Sequence, residues 1–204
     1  MRNTWRTFSD ALASNQVDKP VFPELEFMRL STSWQESSKD ASFCGSAAFG
    51  GRMYKRYHSK VQKETYLDFS YRGGAVSESA AHSFSALLSE PHSVAGRELV
   101  RIAEVLGQTV SALNIYGEFV NEILSADVGA INGRNVLVIH WRHVKHNRKV
   151  ISIYFDAYGN GMTVREMHFS TPVDSFDITH KNFYETVRST QWACAAPPPC
   201  SYVA

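Results

Sequence analysis

The stretch VLVIHWRHVKHNRKVISIYFDAYGNG, Val136 to Gly161, constrains the fold more than any other part of the chain. It contains two runs rich in valine, isoleucine, tyrosine and phenylalanine, side chains that suit a pleated, half-buried surface. Three strands are predicted, at 135–144, 150–158 and 162–169, and Asn160-Gly161 signals a tight hairpin between the last two. Upstream, residues 77–89 and 93–126 read as helical. The second run carries Val94, Leu99, Ile102, Val105, Leu106, Val110, Leu113, Phe119, Val120 and Ile123 on one broad apolar stripe.

The remaining segments complete an α+β order. Trp5, Phe8 and Leu12 recur at helical spacing, so residues 3–14 are expected to form a short amphipathic helix. VFPELEFMRL reads as extended, STSWQESSKDAS as a surface loop, and ETYLDFSYR as a strand. A last helix is expected over 176–189. The expectation is a single α+β domain over 1–204, with residues 1–40 an N-terminal appendage and 190–204 a tail. Its helical half would pack against a C-terminal antiparallel β-meander.

Side chains alternate across a strand, so hairpin register decides which residues share a face. A two-residue turn at His146-Asn147 sets Val136, Val138, His140 and Arg142 beside Ile151, Ile153 and Phe155, and mixes polar with apolar on both faces. A three-residue loop, at His146–Arg148 or Asn147–Lys149, sorts them. Leu137, Ile139, Trp141, Ile151, Ile153, Phe155 and Ala157 then share one face; Val136, Val138, His140, Arg142, Ser152, Tyr154 and Asp156 share the other. Each large apolar side chain buried stabilises by roughly 1.5–3 kcal/mol, which favours the sorted register. That register sets the Asp156 carboxylate within reach of the His140 ring, where it can fix the tautomer and stabilise an imidazolium.

A nucleophile to match is offered by FCGSAAFGG. Cys44 there precedes small residues and an expected helix over Ala47 to Tyr57. A thiol at a helix N-terminus has its thiolate favoured, and the same N–H groups can hold an oxyanion. CGSAAF, followed by VIHW and then YFDAYGNG, resembles the papain-like cysteine peptidase superfamily, including its bacterial effector-type and bacteriocin-processing branches. The resemblance implies a peptidase or isopeptidase acting on a protein or peptide substrate. Cys44 would be its nucleophile, His140 its general base and then acid, and Asp156 the residue orienting the imidazole. Relatives keep an oxyanion-stabilising glutamine six residues before the cysteine. Ser38 stands there, and Gln35 takes that part if the loop bends.

A second branch is similar to His140-Trp141 with Asp156: ubiquitin-like-protein proteases and related acetyltransferases, whose cysteine comes last. Gln191 with Cys194 or Cys200 supplies that order, but Pro197–Pro199 oppose the helix such a cysteine needs.

Composition supplies the remaining bounds. At 204 residues, 44% hydrophobic and 20% charged, the chain is of ordinary globular type, and a net charge of +1 gives no global pull toward nucleic acid or an anionic surface. No run approaches the ~18 apolar residues of a membrane span. The N-terminus lacks the apolar core of a secretory signal, so a cytoplasmic protein, or one delivered into another cell, is expected. Three cysteines at no zinc-like spacing suggest neither a disulfide scaffold nor a structural metal, and no cofactor is implied. His140, His143 and His146 recur every three residues, a spacing that turns the first two to opposite faces of a strand. The alternative to an enzyme is a non-catalytic α+β interaction protein. The span Val128–Phe155 holds several bases and no acid, with Trp141 and Tyr154 interleaved, as a sheet that binds single-stranded nucleic acid would.

Overall fold

The computed structural model describes residues 25–37, 52–74, 78–98 and 121–193. The strands are β1 (Leu25–Phe27), β2 (Trp34–Glu36), β3 (Arg52–Ser59), β4 (Tyr66–Gly74), β5 (His92–Ser93), β6 (Asn121–Ile131), β7 (Arg134–His143), β8 (Arg148–Asp156), β9 (Thr163–Pro172) and β10 (Gln191–Trp192). Helix α1 (Glu78–Leu87) lies between β4 and β5. A 3-10 turn, Val173–Ser175, leads into α2 (Phe176–Arg188). Eight strands form one antiparallel sheet in the order β2-β3-β4-β9-β8-β7-β6-β5, and β1 pairs with β10 beside it.

This differs from the expected helical half packed on a meander. Among the described residues the sheet dominates and the helices are short, 10 and 13 residues. Two segments read as helix are strands. Residues 52–57 belong to β3, so the helix expected over Ala47 to Tyr57 does not form there; residues 121–126 open β6. The expected helix at 3–14, and most of the 93–126 run, lie outside the described residues.

Register follows from turn chemistry. Asn132 and Gly133, with φ of 47° and 84°, form a two-residue turn that sets Ile131 opposite Arg134. The expected tight turn at Asn160-Gly161 is instead part of a longer loop, closed by the Ala157 N–H donating to the Thr163 carbonyl at 2.8 Å. Between β7 and β8 the turn is Val144–Asn147, with Asn147 at φ 46° and His143 opposite Arg148.

That last turn overturns the sorted register. His140 pairs with Ile151, and Leu137 with Tyr154. One face gathers Val136, Ile151, Ile153, Phe155, Met167 and Phe169 beneath Phe183 and Val187 of α2. The other gathers Leu137, Ile139, Tyr154, Val164 and Val128 beneath Phe84 and Leu88, at the end of α1. Sorting presumed a single apolar face. With a helix on each side both faces bury apolar side chains, and the mixed register satisfies them together.

Helix α2 shows how the covering is built. Thr179, Phe183, Thr186 and Val187 are its buried residues, a stripe at helical spacing. Phe183 stacks on Phe169 at 4.9 Å between centroids. Asp177 in the first turn and Arg188 in the last oppose the helix dipole favourably.

Candidate functional site

The structure separates the two described members of the expected triad. His140 lies on the α2 face, where its Nε2 and the Tyr184 hydroxyl share a hydrogen bond at 3.1 Å. Burial lowers the His140 pKa, opposed by Asp127 and assisted by His180, so the ring is neutral at neutral pH. Asp156 lies on the α1 face, opposite Val164. Its carboxylate accepts from the Ser85 hydroxyl at 3.3 Å and from the N–H groups of Tyr158 and Gly161. It therefore organises the loop that follows β8, and it borders a cavity of about 360 Å³ lined also by Ser85, Arg134, Asn135 and Tyr158.

Gln35 is in β2, exposed and opposite His58. Five strand steps separate it from β7, roughly 24 Å at the usual ~4.8 Å spacing. Cys44, Cys194 and Cys200 lie outside the described residues, as does Ser38.

Two polar clusters went unread in the sequence. On the α1 face, Arg56 holds Asp68 in a two-pronged pair, Nε to Oδ1 and Nη2 to Oδ2, both at 2.7 Å. Beside it, Ser152 bridges the Trp141 indole N–H at 3.3 Å and the His168 Nδ1 at 3.1 Å; His168 also faces the fully buried Glu166 at 3.4 Å. The cross-strand pairing of Arg56 with Asp68 was invisible while residues 52–57 were read as a helix.

The second cluster occupies one end of the sheet, where the β3–β4 turn, the 3-10 turn and the β7–β8 turn meet. Val173 N–H donates to the Asn147 carbonyl at 3.0 Å, and Gln62 Nε2 to Ser175 Oγ at 2.6 Å. Arg148 donates to Ser170 Oγ at 2.9 Å and to the Glu64 carbonyl. Three turns are thus tied into one platform. Lys60, Lys63 and Lys145 stand exposed on it. Arg142 donates to Asn147 Oδ1 at 3.0 Å, and Lys149 Nζ sits 4.6 Å from the Phe176 ring centroid.

His143 and His146 also belong to this end, their ring centroids 4.5 Å apart. Burial, then His146, lowers the His143 pKa. His143 therefore adds no positive charge to this end at neutral pH. Among the described residues, no three histidine, cysteine or carboxylate side chains converge as a metal site.

No family model matches the sequence, and no curated protein matches it. A solved structure does. Cyanobacterial PsbP (CyanoP) from Synechocystis sp. PCC 6803, a solution structure, is similar with a TM-score of 0.50 and 12% sequence identity, over 81% of this chain and 85% of that one. The likeness is one of fold. Together with the antiparallel sheet it replaces the papain-like architecture that CGSAAF and VIHW suggested, and with it the expectations of a thiol protease, of a ubiquitin-like-protein protease and of an acetyltransferase.

Proposed function

We propose that this chain is a non-catalytic interaction protein that presents the platform at one end of its sheet to an anionic partner. The observation that carries the reading is the gathering of exposed Lys60 and Lys63 on the β3–β4 turn and Lys145 on the β7–β8 turn, two turns tied through the 3-10 turn by hydrogen bonds. Ordered turns hold their charges at fixed spacing, so attraction to an anionic surface is gained with less loss of side-chain and loop freedom on binding. Among the described residues Glu64, Asp174 and Asp177 are acids of this end, and Glu64 is already 3.8 Å from Arg148.

Single-stranded nucleic acid is the weaker partner. Of the two aromatics the sequence offered for base stacking, Tyr154 is buried in the core at 2% exposure. Trp141 packs beside His143 and His168, and its indole N–H is engaged by Ser152. Neither is placed as a stacking platform.

The test is retention of the full chain on immobilised poly-glutamate at low salt. Retention is expected, and replacing Lys60, Lys63 and Lys145 together by serine should lower the eluting salt concentration clearly. A wild-type chain that flows through, or a triple variant eluting with it, removes the reading.

A further inference from the structure

The basic platform also carries apolar side chains that a purely electrostatic contact does not need. Among the described residues Val61 and Ile178 are each 70% exposed, and Val144 is 43% exposed. Val61 lies in the β3–β4 turn, Val144 in the β7–β8 turn, and Ile178 in the first turn of α2, directly after the 3-10 turn. The β3–β4 and β7–β8 turns lie at the same end of the sheet, to either side of β9. The strand order β3-β4-β9-β8-β7 spreads them over on the order of 20 Å at ~4.8 Å per strand.

From this arrangement we infer that the platform docks on an anionic lipid surface, with Val61, Val144 and Ile178 entering the interface while the lysines meet the headgroups. The inference rests on the anionic-partner reading and names its class. Separate aliphatic tips, two of them beside a lysine, suit a fluid interface that receives each one independently. A protein partner would more commonly be met by one contiguous aromatic or arginine anchor set in a pocket. Lys60 and Lys63 flank Val61 in sequence, and Lys145 follows Val144. Short apolar side chains beside bases gain from burial at the headgroup boundary and from attraction to anionic lipid together. Ile178 has Asp177 before it and Lys181 one turn on, so its segment adds apolar contact with little net charge. No helix among the described residues is long and apolar enough to cross a membrane, and this mode of contact requires none.

The experiment is vesicle flotation with the full chain. One set of vesicles is phosphatidylcholine alone, and the other has one third phosphatidylglycerol. The chain should float with the second set and not with the first, and release as salt rises. Changing Val61, Val144 and Ile178 together to serine should weaken partitioning by about tenfold or more. These three are exposed, so the variant is expected to fold, and an unchanged circular dichroism melt verifies that. Poly-glutamate retention is measured in parallel. Retention without flotation overturns the lipid surface as partner, assigns the platform to an acidic protein, and leaves the anionic-partner reading standing. Loss of both overturns both. Flotation unaffected by the serine changes overturns the role given to the aliphatic tips.

Discussion

The Tyr184 hydroxyl reaches His140 Nε2 at 3.1 Å, tying α2 to the middle of the sheet through a half-buried imidazole. Burial is the main cause of the lowered His140 pKa, so the unfolded chain binds this proton at higher pH than the folded one. A group of that sign contributes its full stability above the ordinary histidine value of 6.5, and loses it as pH falls through 6.5 toward the lower folded value. His143 acts in the same direction. The urea midpoint should therefore drop on going from about pH 7.5 to about pH 5. His140→Gln keeps an acceptor for Tyr184 and should flatten that dependence; an equally steep profile in the variant sinks the assignment.

Gly161 is held at φ 72°, and a Cβ there would meet the backbone of Ala81 in α1. Gly133, at φ 84°, has open space where its Cβ would be. Replacing either by alanine incurs the left-handed penalty of about 1–2 kcal/mol; at Gly161 the clash adds about 1–3 kcal/mol. Denaturant unfolding should rank Gly161→Ala as the clearly worse of the two. Equal losses would show that α1 moves aside without penalty.

Phe84 and Phe183 test the two-faced core. They are buried at 1% and 0% exposure on opposite sides of the sheet. Each change to alanine should destabilise by about 3–5 kcal/mol. Because the sheet lies between them, the losses should add within a few tenths of a kcal/mol in the double variant. A near-neutral Phe84→Ala would mean the α1 face contributes little to the core.

The Arg56–Asp68 pair joins a 5% exposed aspartate to an arginine whose side chain is 34% exposed. Asp68→Asn keeps the shape and removes the charge, and should cost about 1.5–3 kcal/mol, the range for hydrogen bonds to charged groups. In a double-mutant cycle with Arg56→Gln, the second change should cost much less once the first is present. Additive losses would show that the two residues act separately.

Much of the sheet's C-terminal half was legible in the sequence. Strands 134–143, 148–156 and 163–172 and helix 176–188 fall close to where alternation and helical spacing put them. The register was not legible, because periodicity cannot say how many faces a sheet buries. A strand such as VISIYFD, buried along its whole length from Val150, is what two covered faces look like, and its lack of polar alternation was the available signal. β6 was misread for a related reason. Ala126, Val128 and Ala130 alternate just before Asn132-Gly133, but an apolar run upstream carried the helical reading as far as Ala126. Of the expected site, His140 and Asp156 were found as residues and misplaced as neighbours, one slipped pairing having moved a side chain to the other face. Of the platform, only the β7–β8 turn with Lys145 lies within the acid-free basic span Val128–Phe155; Lys60 and Lys63 come from a turn far upstream. The platform's assembly from three distant turns depends on long-range contacts that no local pattern encodes.

The eight-stranded sheet ends in β2 and β5, three and two residues long. So short a ladder leaves an incoming chain few main-chain donors and acceptors to zip onto, which disfavours fibril growth by strand addition. Polymerisation through the flanks is thereby opposed by the brevity of the two outermost strands themselves.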